Sequence, residues 1–175
     1  GALGLPSRTL RWVTARHHKF HDHELSSLVR NAFHAVAIDE RRKHFEPTLW
    51  SSKPLVPGQR VEQVWFAGAH GGVGGGVPAA GLSDIAFLWM KDRAQEAGLA
   101  FDEAFVKANF RPDHRAPVDE PHPWWRLLMG RWRPIGDQGF LPQAVHATAR
   151  ARHADPDLGY KPPNLVEYVN GSSRR

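Results

Sequence analysis

Val64-Trp65-Phe66-Ala67-Gly68-Ala69-His70 runs directly into Gly71-Gly72-Val73-Gly74-Gly75-Gly76, and a periodic apolar segment begins soon after, at Leu82. The run from Val61 to Ala67 is rich in β-branched and aromatic residues and predicts a buried strand, because a strand covered on both faces needs no polar alternation. Leu82, Ile85, Ala86, Trp89, Met90, Ala94 and Ala97 recur at spacings of three and four. They predict a helix with Ser83 as N-cap and Gly98 as C-cap. A strand, a glycine-rich turn and a helix in that order are the building unit of an α/β sheet, and this unit restricts the possible folds more than any other part of the chain.

The remaining elements follow from weaker patterns. Leu25, Leu28, Val29, Ala32, Phe33, Val36 and Ala37 are spaced as the apolar stripe of an amphipathic helix over about residues 24–38, ended by Asp39-Glu40-Arg41-Arg42. Residues 9–14 are β-prone, the histidine-rich stretch after them predicts a loop, and Phe45 to Trp50 predicts an extended segment broken by Pro47. A short helix is expected from Phe101 to Asn109, with Asp102 near its start. From Phe110 onward proline, tryptophan and arginine are dense and periodicity is low, so this region predicts loops whose tryptophans cover the scaffold. Residues 1–169 are expected to form one domain, since 175 residues support one sizeable core, and residues 170–175 to form a disordered tail.

Composition removes several classes of function. The chain has no cysteine, which excludes disulfides, thiolate metal sites and a cysteine nucleophile. No apolar run approaches the roughly 18 residues of a transmembrane helix. The first residues lack the charged-then-apolar layout of a signal peptide, so a cytoplasmic location, or secretion without such a signal, is expected. The net charge of +5 and 11 histidines admit anionic membranes or nucleic acid as partners. The arginines are dispersed rather than striped, and this disfavours nucleic acid.

Chemistry concentrates at His70. In open α/β sheets the reacting groups sit in loops beyond the carboxyl ends of parallel strands, where His70 would lie. The glycines after it permit positive φ and close backbone approach. An imidazole there is suited to general-base work, although a histidine that follows a strand is more often structural. The tract is not a phosphate loop, since neither GxxxxGK[ST] nor GxGxxG occurs and the next lysine is Lys91. His17, His18, His21, Asp22, His23 and Glu24 offer ligand types that zinc accepts, but HExxH is absent and a polar loop accounts for them; no metal or cofactor is expected. Asp39 is a candidate acid that could equally pair with Arg41 or Arg42. GxSxG is absent, so the strained elbow that exposes a serine nucleophile is not in these residues.

Four stretches together, FHDHELSSLVRNAFHAVAIDERRKHFEPTLW, VWFAGAHGGVGGGVPAAGLSDIAFLWMKDRAQEAGL, RPIG at 133–136 and GYKPPNL at 159–165, resemble the Tle-like α/β-hydrolase family of type VI secretion phospholipase effectors. The resemblance implies a partial α/β-hydrolase-like sheet with flanking helices and a serine hydrolase of lipid esters with a Ser-His-Asp triad. The family's catalytic histidine, in a strand ending WFxGxHSDVGGG, maps onto His70. Gly72 stands where the family usually has aspartate.

The chain begins GALGLPSR rather than with methionine, and that opening resembles the family's segment after a WDTVG-like strand. The family's nucleophile elbow GFSRGA, and with it the triad acid, is therefore expected upstream of residue 1. The resulting expectation is the C-terminal part of a phospholipase or esterase, truncated or from a split gene, inactive alone. Its substrate in the complete enzyme would be a lipid ester, and its partner a separately encoded N-terminal half or the secretion apparatus. The alternatives are a non-catalytic remnant that docks on such a half, and a basic surface that binds anionic membrane or nucleic acid.

Overall fold

A computed structural model describes residues 25–51, 54–118, 130–136 and 139–172. The expected strand at 9–14, the histidine-rich stretch to Glu24, and Trp124 and Trp125 lie outside them.

Three parallel strands form one sheet in the order β1 (Asn31–Ala37), β2 (Arg60–Phe66), β3 (Gln143–Val145). In register, Asn31 faces Arg60 and Ala37 faces Phe66, while Gln63 faces Gln143 and Trp65 faces Val145. Parallel neighbours need long crossovers. The one between β2 and β3 carries α1 (His70–Gly74), α2 (Gly81–Glu96) and α3 (Glu103–Asn109). After β3 come α4 (Ala147–Ala154) and α5 (Pro163–Ser172).

The strand at β2 and the helices at α2 and α3 match the sequence reading. Leu82, Ile85, Ala86 and Trp89 of α2 are buried, and Phe33 and Phe66 meet Trp89 edge-on at 6.3 and 5.4 Å between ring centroids. Asp102 caps α3, its side chain accepting from the Phe105 N–H at 2.9 Å. Two cap assignments shift. Ser83 lies inside α2 and its hydroxyl donates to the Ala80 carbonyl, with Ala80 in the N-cap position. Gly98, at φ +100°, follows the C-cap residue Ala97.

The helix expected over 24–38 is instead β1, preceded by a turn in which Leu28 is almost fully exposed. The three-and-four spacing arose because the strand is covered on both faces. Its Phe33 turns towards α2, while His34 turns the other way to meet the Trp50 ring at 5.6 Å, so apolar residues occupy both parities. Asp39 and Glu40 therefore follow a strand and not a helix. Between β1 and β2, Lys43–Phe45 form a single 3-10 turn that takes only the first residue of the extended segment expected from Phe45 to Trp50, Glu46 being extended, and Ser51 makes an isolated bridge with Phe140. Towards the C-terminus, α5 runs to Ser172. Trp65, Phe66, Ile38, Ala149 and Leu165 are the most deeply buried apolar residues, so the core gathers around the carboxyl ends of β1 and β2.

Candidate active site

His70 sits where a strand-end imidazole was expected, four residues past β2 and at the first position of α1. Gly68 makes that placement possible. Its φ is +116°, and a Cβ there would lie 3.3 Å from the Gly72 carbonyl carbon, so only glycine lets the turn close this tightly onto α1. Of the five glycines that follow His70, Gly71, Gly72 and Gly74 are helical, and positive φ is confined to Gly75 and Gly76.

The carboxylate that reaches His70 is Glu40, not Asp39. His70 Nδ1 lies 2.6 Å from Glu40 Oε2, and Arg42 Nη2 approaches the same oxygen at 2.5 Å. Nδ1 and Nη2 are also only 2.7 Å apart. A ring nitrogen this close to an ionised carboxylate oxygen carries the hydrogen, so the Glu40 contact assigns the proton to Nδ1 and leaves the Nε2 lone pair unused by these contacts. Glu40 is 3% exposed. Burial alone would raise its carboxyl, but the Arg42 guanidinium, His70 and the Arg42 N–H outweigh it and hold the group down at about 2. Phe45 stacks on the imidazole at 4.2 Å and 14°, and Arg42 lies over the other partner of that stack, 4.5 Å from the Phe45 centroid.

Asp39 serves a different set of contacts. Its Oδ2 accepts from the Gly68 N–H and from the Tyr160 hydroxyl, both at 2.7 Å. Burial raises its carboxyl above the ordinary value, opposed by those two donors and by the charge of Arg152. Neither Arg41 nor Arg42 is its partner: Arg41 stacks on Trp132 and Arg42 pairs with Glu40.

Beside His70 and Glu40 opens a cavity of about 710 Å³, with Phe45, Val73, Val77, Phe87, Met90 and Phe110 among its lining residues. Its walls are mostly apolar, and its polar lining residues are His34, Glu40, Glu46, His70, Ser83, Asp84 and Arg133. Among the described residues no group of three side chains is arranged to hold a metal ion, and the His17–Glu24 cluster lies outside them. No helix among them is long and apolar enough to cross a membrane.

Residues 1–93 match the family model of the type VI secretion (T6SS) phospholipase effector Tle1-like catalytic domain. The chain belongs to this family. The matched stretch of the Tle1-like domain contains β1, Asp39, Glu40, β2 and His70, and it ends within α2. Arg133, Tyr160 and Asn164 lie beyond it. No curated protein and no solved structure matches the chain.

Sequence reasoning singled out His70 but not Glu40, Arg42 and Phe45, which the structure places against it. The signal for Glu40 was present as two adjacent carboxylates at the end of an apolar run. Choosing between them required knowing that the run is a strand.

Proposed function

We propose that this chain carries the general-base part of a hydrolase acting on lipid esters, with His70 as the base and Glu40 as the carboxylate that orients it. The observation that carries this reading is the 2.6 Å contact between His70 Nδ1 and Glu40 Oε2 at the carboxyl ends of neighbouring parallel strands, beside a largely apolar cavity. With its proton held on Nδ1, the imidazole takes a hydroxyl proton at Nε2 and returns it to the leaving alcohol. Glu40 stabilises the imidazolium formed in between. The cavity suits an acyl chain, in keeping with the phospholipase effector family.

The serine comes from outside these 175 residues, which contain no GxSxG. Alone, the chain is expected to turn over neither p-nitrophenyl esters nor phospholipid vesicles. Supplied with a segment bearing a GFSRGA-like elbow, it is expected to do so, and His70→Ala abolishes the reaction. Turnover by the chain alone, or turnover that survives His70→Ala in the combined protein, overturns this reading.

A second reading is a non-catalytic module that docks on a separately encoded N-terminal half. It is favoured by β1, which among the described strands pairs on one side only, and by Gly72 in place of the family's aspartate. Association of the two halves without turnover selects this reading over the first.

A further inference from the structure

We infer that the segments Arg133–Gly136 and Gly159–Leu165 form a clasp that sets Glu40 against His70, making Arg133, Tyr160 and Asn164 positioning residues of the site. The inference rests on the Glu40–His70 pair proposed above.

The ladder between β1 and β2 continues through Ile38, whose N–H donates to the Phe66 carbonyl, and Asp39, whose N–H donates to the Gly68 carbonyl. After Asp39 the chain leaves the sheet, and its backbone acceptors need other donors. Residues about 90 to 125 positions later supply them. Asn164 Nδ2 donates to the Ile38 carbonyl at 3.2 Å and to that of Arg133 at 3.0 Å. Arg133 donates from Nη1 to the Glu40 carbonyl and from Nη2 to the Arg42 carbonyl at 2.7 Å. The Gly130 N–H donates to the Arg41 carbonyl between them at 2.9 Å.

Two features make this more than general cohesion. Arg133 grips the carbonyls of residues 40 and 42 with one planar fork, so it fixes the peptide plane that follows the Glu40 Cα and the path of the chain from Glu40 to its partner Arg42. Tyr160, through Asp39 Oδ2, shares an acceptor with the Gly68 N–H, two residues before His70. The clasp therefore holds both the strand end that presents Glu40 and the turn that presents His70. A shift of about 1 Å in either is enough to degrade a catalytic hydrogen bond.

The test reads the His70 tautomer by long-range ¹H–¹⁵N NMR of the 175-residue chain in mildly alkaline buffer. Arg133→Lys keeps the charge but loses the fork, and Asn164→Asp keeps the acceptor that receives the Leu165 N–H while losing the donor. Each is expected to shift His70 from predominantly Nδ1–H towards the Nε2–H form that dominates free imidazole side chains, with a cooperative melt retained. Val106→Ala, in α3 and not among the residues that line the cavity, is expected to lower the melting temperature and leave the tautomer unchanged.

An unchanged tautomer in folded Arg133→Lys and Asn164→Asp overturns the positioning role. So does an equal change in Val106→Ala, or loss of the cooperative melt in Arg133→Lys, which would make the contact one of folding alone. Absence of the Nδ1–H form in the unsubstituted chain removes the Glu40–His70 pair itself, and the clasp's role with it.

Discussion

His70 Nδ1 and Arg42 Nη2 converge on a single oxygen, Oε2 of Glu40, at 2.6 and 2.5 Å. The imidazole is thus oriented by a buried carboxylate whose charge is already balanced by a guanidinium. In the chain combined with a nucleophile-bearing segment, Glu40→Gln is expected to lower ester turnover by about 10³- to 10⁴-fold, the scale on which the orienting carboxylate matters in acyl-transfer triads. Asp39→Asn is expected to have a much smaller effect on the rate. Steady-state rates for the two variants check the assignment, and a larger loss in Asp39→Asn would reverse it.

The same convergence makes stability depend on acid. Glu40 is held at about 2 against an ordinary value of 4.5, so the fold gains stability above the ordinary value and loses it as pH falls through that window towards 2. The full depression corresponds to about 3 kcal/mol. Asp39, raised by burial, acts with the opposite sign, since the fold favours its protonated form as pH rises past the ordinary value. Urea denaturation at a series of pH values should show the acid loss of stability in the unsubstituted chain and its reduction in Glu40→Gln. In Arg42→Met the loss should begin at higher pH, because burial then acts on Glu40 with less opposition.

Tyr160 and Asp39 are 121 residues apart in sequence and joined by one hydroxyl, donated to a carboxylate that the Gly68 N–H also uses. Burial, followed by the charge of Asp39, pushes the phenol's own ionisation well above its ordinary value, so it remains a donor across the usable pH range. Tyr160→Phe is expected to cost about 1 to 2 kcal/mol by leaving the buried carboxylate with one donor fewer. In an Asp39→Asn background the same change should cost less, because no charge is left underserved. Additive costs in the double-mutant cycle would show that the hydroxyl acts elsewhere.

How much of this was legible depended on whether side-chain spacing survives coverage from several sides. In α2, Leu82, Ile85, Ala86 and Trp89 kept the helical spacing readable although Ser83, Asp84 and Lys91 are buried as well. In β1, Phe33 and His34 are covered from opposite sides, and the resulting apolar run imitated a helix. That error also hid the site. Asp39 and Glu40 follow the strand where the chain bends out of the sheet, and they part, one towards Tyr160 and the other towards His70. The helix α4 escaped notice for the opposite reason, since ATARARHA buries only Ala149 and Arg152 and has no apolar stripe to detect.

Gln63 is a polar residue in the middle of β2 and is 1% exposed. Its Oε1 accepts the Trp50 N–H at 2.8 Å, and its Nε2 donates to the Leu141 carbonyl at 3.1 Å. The side chain thus substitutes for backbone partners on two flanking segments. Gln63→Leu fits the apolar surroundings but leaves two buried backbone groups unpaired, and is expected to cost about 2 to 4 kcal/mol in chemical denaturation. A neutral result would mean that Trp50 and Leu141 find other partners.

Gly72 and Gly75 separate two uses of the glycine tract. Gly72 is helical, at the third position of α1, and a Cβ built there meets nothing within 4 Å. Gly72→Ala should therefore stabilise the fold by up to about 1 kcal/mol through helix propensity alone. Gly72→Asp should be tolerated as well, since an acidic group in the first turn of a helix faces its positive end. At Gly75 the space is equally open, but φ is +88°, a conformation that disfavours any side chain. Gly75→Ala is expected to cost about 1 to 2 kcal/mol for backbone reasons. Opposite shifts in melting temperature for the two alanine variants would establish that the tract needs glycine at its end and only tolerates it next to His70. Equal losses would instead mean that the start of α1 depends on glycine's freedom too.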